Sequence, residues 1–222
     1  VLLAPGHIIS GVTGKETLIG ELNGHITERA QRIAATFNAA GLDTTVSDNI
    51  MGTMWDKLLI NVSTGAVSGI TRLPYGPLYR IPEIATTAIA AVQEAMDVAV
   101  ASGIRLSFTD PRAAWLKASA GLPDDFKTSM LQSLEKGSIT EIDYINGEVV
   151  ELAASLGKRA AVNARLVNLI KMAEAGGRRD WTAAELYRAV RSAIWRPPTA
   201  TKVPPLAVRS RRVRNLSRSA VE

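Results

Sequence analysis

The sequence predicts a mainly helical protein in which a small α/β segment precedes a series of helices. Up to about Asp48, strand-like and helix-like stretches alternate, as they do in α/β folds. After Asp48, apolar residues recur three and four positions apart, and glycines separate one such stretch from the next. The hydrophobic content of 46% is enough for a substantial core. We therefore predict an α/β segment at 1–49, a helical domain at 50–196 and a tail at 197–222.

The α/β segment is predicted from one amphipathic stretch and the turn residues around it. Thr27 is a suitable N-cap for a helix whose apolar residues follow at helical spacing, and Gly41 ends that helix. Strands are expected before and after it, at 7–12, 17–21 and 42–46, with a turn at Gly14 and Lys15.

The helical domain is predicted to contain seven helices, at 50–67, 82–103, 110–120, 124–136, 141–156, 163–175 and 182–195. Pro82 and Glu83 suit a first turn, and the helix that they begin is apolar on nearly every face. We expect that helix to be buried. The pair Thr140 and Asp143 is typical of a capping box at the start of the helix at 141–156.

The charge of the chain is concentrated in the tail. Six basic residues and one acid follow Arg196, which accounts for the whole net charge of +5. The rest of the chain is neutral, so we do not expect the body to bind nucleic acid. The tail lacks hydrophobic periodicity and is predicted to be disordered. If it binds nucleic acid, the affinity should fall steeply with salt and vanish when the tail is deleted.

Composition also limits the chemistry and the compartment. The chain contains no cysteine and only two histidines, which excludes disulfide scaffolds, thiol nucleophiles and zinc clusters. Its longest apolar stretches are far shorter than the roughly 20 residues that span a bilayer, and the first residues lack the basic region of an export signal. We predict a cytoplasmic protein without a membrane segment.

Two groups of polar residues could carry chemistry. Lys57 and Asn61 lie four residues apart, so they project from one helix face. A lysine there could protonate a carbonyl oxygen beside an orienting amide, although spacing alone favours a solvated lysine and a packing asparagine. The second group contains Ser129 and Glu141, and a helix N-terminus is by itself sufficient reason for the glutamate. The chain has no G-x-G-x-x-G phosphate-binding loop.

In combination, these segments resemble the ketopantoate reductase family, the NADPH-dependent 2-dehydropantoate 2-reductases. The resemblance covers about residues 6 to 175 and includes Gly20-Glu21 and the helix between Thr27 and Gly41. It is carried by an ordered set of segments: Trp55-x-Lys57-Leu58-x-x-Asn61, Pro82-Glu83 with Glu94 and Gly103, Ser129-Met130-Leu131-Gln132, and Thr140-Glu141-Ile142-Asp143-Tyr144-Ile145-Asn146-Gly147.

The resemblance implies a fold and a set of roles. Residues 1–49 would be the end of a Rossmann dinucleotide-binding domain, and residues 50–196 an all-helical domain of the 6-phosphogluconate dehydrogenase C-terminal type. Lys57 and Glu141 would be the catalytic residues, with Lys57 as the proton donor and Glu141 holding a substrate hydroxyl. Asn61 and Ser129 would bind the 2-oxo acid substrate. NADPH would be the cofactor. A homodimer is a separate expectation for the assembly.

Three departures from the family pattern limit this transfer. Gly65 and Tyr75 stand where the family often has asparagines, so a 2-oxo acid other than ketopantoate is an alternative substrate. The glycine-rich fingerprint is missing, so we expect a fragment that is inactive alone. The other hypothesis is a non-catalytic dimerisation or scaffold domain in which the apolar helix at 82–103 packs against a partner chain.

Overall fold

A computed structural model describes residues 2–8 and 16–194 of the 222. The predicted turn at Gly14 and Lys15, the end of the strand at 7–12 and the tail at 197–222 lie outside the described residues. Within the described ranges the chain is mainly helical, as the sequence predicts.

A β-α-β unit forms most of the α/β segment. Strand β3 (Thr17–Ile19) pairs in parallel with β4 (Thr44–Val46), and α1 (Glu28–Ala39) connects them. The Thr27 side chain caps α1 by accepting a hydrogen bond from the Ala30 N–H group, at 3.2 Å. Gly41 follows the helix with a φ of +79°, a conformation that glycine adopts without strain. A separate antiparallel pair, β1 (Leu2–Ala4) and β2 (His7–Ile8), precedes this unit.

The remainder of the described chain is built from helices. They are α2 (Ile50–Thr71), α3 (Tyr75–Tyr79), α4 (Pro82–Ala101), α5 (Pro111–Ser119), α6 (Ser129–Glu135), a 3-10 helix (Ile142–Tyr144), α7 (Asn146–Ser155), α8 (Ala161–Glu174) and α9 (Ala183–Ile194).

Helices α2 and α4 form the centre of the core. They pack against each other, α2 also contacts α5, α6 and α8, and α4 also contacts α3, α5, α7, α8 and α9. Leu59 and Val62 of α2, and Ala88 and Val92 of α4, are fully buried. By length and composition α4 could cross a membrane, but half of its most apolar stretch of 18 residues is buried inside the chain. Its apolarity is therefore explained by neighbours within this chain, as predicted for a buried helix.

Two of the predicted helices begin five residues later in the structure, for identifiable reasons. The helix expected at 124–136 begins only at Ser129. Before it, the carbonyl groups of Asp124 and Phe126 accept hydrogen bonds from the N–H groups of Gly76 and Tyr75, at 2.7 and 3.0 Å. This tertiary pairing holds the segment in a non-helical conformation.

The helix expected at 141–156 is divided at Ile145. That residue has φ −107° and ψ −89°, so the 3-10 helix ends there and α7 begins with Asn146. The Asn146 side chain is fully buried and donates a hydrogen bond to the Asn163 side-chain oxygen of α8, at 2.9 Å. This contact with another helix fixes the start of α7.

The predicted capping box of Thr140 and Asp143 is wrong. Asp143 instead forms an ion pair with Lys171 on α8. A carboxylate oxygen of Glu174 accepts hydrogen bonds from both the backbone N–H and the hydroxyl of Thr140, at 2.8 and 2.6 Å. A glutamate distant in sequence therefore takes the role that the local pattern assigned to Asp143.

Candidate active site

A cavity of about 290 Å³ lies among α2, α3, α5 and the start of α6. Such a volume is at the lower end of the range for small-molecule sites, roughly 300–1,000 Å³. Four polar residues line its wall: Asn61, Thr64, Thr128 and Ser129. The other lining residues are apolar or aromatic: Ile60, Gly65, Tyr75, Ala118, Leu122, Phe126, Met130 and Ile145.

Helix α2 brings Asn61 to this cavity and places Lys57 next to it. Burial of Leu59 and Val62 in the core turns the opposite face of α2 outward, so Lys57 and Asn61 are both exposed. Four residues along a helix place two Cβ atoms about 6 Å apart. Asn61 lines the cavity, whereas Lys57 lies one turn away, outside the wall.

The start of α6 places Ser129 in the same wall. The Thr128 hydroxyl oxygen accepts a hydrogen bond from the Leu131 N–H group at 3.2 Å, which makes Thr128 the N-cap and Ser129 the first helical residue. An ion pair at 2.7 Å joins Lys127, the residue before this cap, to Glu135, the last residue of α6. Two of the predicted substrate-binding residues, Asn61 and Ser129, therefore lie on one cavity although they are distant in sequence.

Glu141 is not part of the cavity wall. It immediately precedes the 3-10 helix, is exposed, and is separated by one 3-10 turn from Ile145, which does line the cavity. Asp143 and Glu174 are engaged in structural contacts with Lys171 and Thr140. Within residues 2–8 and 16–194, no hydrogen bond or ion pair engages the Glu141 carboxylate, which leaves it available to a ligand.

Lys57 is likewise available. Lys127 and Lys171 are paired with acidic side chains, but no ion pair of Lys57 occurs among the described residues. Its neighbour Asp56 accepts a hydrogen bond from the Ser107 N–H group at 3.1 Å, so that carboxylate is oriented toward another segment. None of the wall residues, all of which belong to the described part of the chain, carries a charge. Lys57 therefore supplies positive charge beside an otherwise neutral cavity.

Gly65 and Tyr75, the two departures noted in the sequence, both line this cavity. A Cβ atom at Gly65 would lie 3.3 Å from Cε of Met130, so Met130 occupies the space next to this glycine. The Tyr75 hydroxyl donates a hydrogen bond to Oγ1 of Thr64 at 3.4 Å. Burial raises the pKa of Tyr75, an effect that the Thr64 hydrogen bond partly offsets.

An aromatic group that the sequence analysis did not identify supports the wall. The Tyr75 ring lies 4.9 Å from the Phe126 ring and 5.4 Å from the Tyr79 ring, measured between centroids. Tyr79 stacks on Trp115 at 4.0 Å, and its hydroxyl donates to the Trp115 carbonyl at 2.8 Å. The only sequence signal for this group was the pair of tyrosines four residues apart, which is too short a pattern to predict α3.

Comparison with known families and proteins is consistent with this geometry. The family model described as Ketopantoate reductase PanE/ApbA C terminal matches residues 49–174, which is more than half of the chain. The chain belongs to the ketopantoate reductase family. This confirms the resemblance carried by the motifs around Lys57, Ser129 and Glu141.

Individual members of the ketopantoate reductase family show how much of their own length this chain matches. The 2-dehydropantoate 2-reductase of Archaeoglobus fulgidus is 29% identical over 77% of this chain and 56% of its own length. That of Mesorhizobium japonicum is 33% identical over 70% of this chain and 46% of its own. The chain thus spans about half the length of the curated relatives that it matches.

The fold agrees with a solved structure of the family. The PanE/ApbA family ketopantoate reductase from Ralstonia eutropha JMP134 superimposes with a TM-score of 0.69 and 32% identity, over 79% of this chain and 56% of that chain. The mainly helical fold class is therefore confirmed.

In this member of the ketopantoate reductase family, the glycines that follow β3 do not form a phosphate-binding loop for NADPH. Both glycines lie close to the backbone of their own chain. A Cβ atom at Gly20 would lie 2.7 Å from the Ser47 carbonyl oxygen, and one at Gly24 would lie 2.6 Å from that of Asp48. These glycines allow the β3–α1 connection to pack against the segment that leads into α2.

Proposed function

We propose that this chain supplies the substrate-binding side of an NADPH-dependent reductase that converts 2-dehydropantoate, or a related 2-oxo acid, to the 2-hydroxy acid. The observation that carries this proposal is the shared cavity of Asn61 and Ser129, beside Lys57, which forms no ion pair within residues 2–8 and 16–194. Family membership supports the reaction class.

Each side chain has a role that follows from its chemistry. The Asn61 amide and the Ser129 hydroxyl donate hydrogen bonds to the carboxylate and keto oxygens of the acid. Lys57 attracts the anion and transfers a proton to the oxygen that becomes the 2-hydroxyl group, where negative charge develops. For Glu141, the resemblance implies the role of acceptor for a substrate hydroxyl group, although this residue lies outside the cavity wall.

We propose that NADPH is held by a Rossmann domain of which residues 1–49 are the end, so that residues 1–222 alone do not reduce the acid. The absence of G-x-G-x-x-G in the sequence supports this, as does the packing of Gly20 and Gly24 against their own chain. Ile33, Phe37 and Leu42 of the α/β segment are exposed, as expected for one part of a larger layered domain. Helical residues 50–196 remain the proposed substrate domain.

The scaffold hypothesis loses the observation that motivated it. Helix α4 packs against α2, α5, α8 and α9 of the same chain, and half of its most apolar stretch is buried there, so its apolarity alone does not indicate a partner. A cytoplasmic homodimer remains a prediction for the complete enzyme, and light scattering would measure its assembly state.

Substrate binding can be tested on the chain itself. In an NMR titration of the isotope-labelled protein with 2-dehydropantoate, the largest amide shifts should surround Asn61 and Ser129. Ser129→Ala should weaken binding about 10-fold or more, because a hydrogen bond to a charged group is worth about 1.5–3 kcal/mol. The matched control is Ser138→Ala, since Ser138 is exposed and outside the cavity. Shifts elsewhere, or equal effects of the two variants, would refute the site.

Proton transfer requires a protein with a nucleotide-binding domain. We suggest joining this chain to the nucleotide-binding half of the Mesorhizobium japonicum relative and following NADPH oxidation. Lys57→Ala should lower kcat by about 10²-fold or more, as expected for loss of a general acid. The exposed Lys117 of α5 provides the control, as Lys117→Ala. Retention of kcat in Lys57→Ala would remove this residue from the mechanism.

A further inference from the structure

We propose that the cavity prefers a 2-oxo acid with a branched hydrocarbon side chain over 2-dehydropantoate, which carries a hydroxyl group on its side chain. This inference rests on the proposed function and specifies its substrate class. It depends on which wall residues are buried and on how their polar atoms are already used.

The buried part of the wall is mainly apolar. Tyr75, Ala118, Met130 and Ile145 are at most 7% exposed. The polar residues Asn61 and Ser129 are exposed, so they lie where the cavity meets solvent. A bound 2-oxo acid would therefore direct its carboxylate and keto groups toward the exposed polar residues, near Lys57, and its side chain toward the buried surface.

In the buried wall around Tyr75, the hydroxyl protons of Tyr75 and Thr64 already have partners within the chain. The Tyr75 hydroxyl donates to Thr64, and the Thr64 hydroxyl donates to the Ile60 carbonyl oxygen at 3.3 Å. The Thr128 hydroxyl oxygen caps α6, and this residue lies next to Ser129, among the polar residues of the wall. Glu141, the acceptor for a substrate hydroxyl in the resemblance, is outside the wall.

Gly65 makes the apolar surface possible. An asparagine at this position would extend its amide into the volume that Met130 fills, because even its Cβ atom would lie 3.3 Å from the methionine Cε. The thioether thus covers the wall where an amide would otherwise offer hydrogen bonds. Methionine adapts to irregular apolar shapes, which suits contact with a branched hydrocarbon group.

The expected discrimination is moderate. A hydrophobic site rejects a ligand that merely adds a hydroxyl group by up to about 10²-fold, because the hydroxyl loses water without gaining a full partner. We expect a preference of about 10-fold or more for the hydrocarbon ligand.

The test compares 3,3-dimethyl-2-oxobutanoate with 2-dehydropantoate, which differ by a single hydroxyl group. Both are titrated against the 222-residue chain, and amide shifts give the two dissociation constants. Tighter binding of the hydrocarbon ligand by about 10-fold or more supports the inference. Equal binding, or tighter binding of 2-dehydropantoate, overturns it and leaves the proposed function intact. If neither acid shifts the amides around Asn61 and Ser129, the proposed function fails and the inference fails with it.

Two conservative variants test the cause of the preference. Thr64→Val leaves the Tyr75 proton without its partner, so this variant should bind 2-dehydropantoate several-fold more tightly and narrow the preference. Tyr75→Phe removes that proton together with its hydrogen bond to Thr64, so the preference should persist. If Thr64→Val leaves the ratio of the two dissociation constants unchanged, the explanation based on committed hydroxyl groups is wrong.

Discussion

Glu94, a partly buried residue of α4, should make a large contribution to stability. Its carboxylate accepts three hydrogen bonds at the start of α8: from the backbone N–H of Val162 at 2.9 Å, the backbone N–H of Asn163 at 3.0 Å, and the Asn163 side-chain amide at 2.9 Å. Val162 and Asn163 are almost fully buried, so water cannot simply replace the carboxylate. We predict that Glu94→Ala strongly destabilises the fold.

The magnitude follows from the number and type of these bonds. Hydrogen bonds to charged groups contribute about 1.5–3 kcal/mol each. Because Glu94 itself is only partly buried, we take the lower end and expect a loss of about 4 kcal/mol in the free energy of unfolding. With a urea m-value of about 2 kcal/mol/M, the midpoint should fall by about 2 M.

Urea unfolding followed by circular dichroism measures this change. The preceding residue provides the control: Gln93 is exposed and its side chain donates only to Asp97, at 2.8 Å. Gln93→Ala should cost about 0.5 kcal/mol or less. Midpoints of the two variants within about 0.3 M of each other would refute the assigned role of Glu94.

Three further predictions concern the core and its pH dependence. Gly69→Val should destabilise the fold by about 2 kcal/mol, because a Cβ atom there lies 3.1 Å from Ile170, and thermal melting that shows no loss would contradict this. Leu59→Ala should cost about 2–5 kcal/mol in urea unfolding, since Leu59 is fully buried, and a change below 1 kcal/mol would indicate different packing. Burial acts to raise the pKa of Glu174, but hydrogen bonds from Thr140 and the charge of Lys171 outweigh it and lower the pKa. The ionised Glu174 therefore stabilises the fold at pH values above its pKa in the unfolded chain, and this stabilisation is lost as the pH falls through its lower pKa in the folded protein. In Glu174→Gln the urea midpoint should depend less on pH in this acidic range.

The sequence predicted the long central helices because their patterns are long and their ends are marked locally. Helix α4 begins at Pro82 as expected, and its uniform apolarity indicated burial before any neighbour was known. The α/β segment was recognised in the same way, since Thr27 and Gly41 mark the two ends of α1.

The errors occurred where distant residues decide the backbone conformation. Asp143 completes a capping pattern locally, but Lys171 and Glu174 approach from α8 and change its partner. Helix α3 was missed because five residues give too short a pattern, and its position depends on Tyr75 pairing with the Phe126 carbonyl.

The candidate site was predictable only in part. Asn61 and Ser129 were identified from spacing and resemblance, and both line the cavity. Thr64, Phe126 and Ile145 were missed, because apolar or hydroxyl side chains in a wall carry no motif of their own. Their contribution depends on shape, which only the packed structure defines.

Met130 takes part in two contacts, one that shapes the cavity and one that stabilises helix packing. It lines the cavity, and it also fills the groove that Gly65 and Gly69 leave on α2, where a Cβ atom at Gly69 would lie 3.5 Å from its Cγ. A substitution of Met130 that changes the shape of the cavity therefore also changes the packing of α6 against α2. In laboratory evolution, mutants with new substrate preference at this position should need companion mutations that restore heat tolerance.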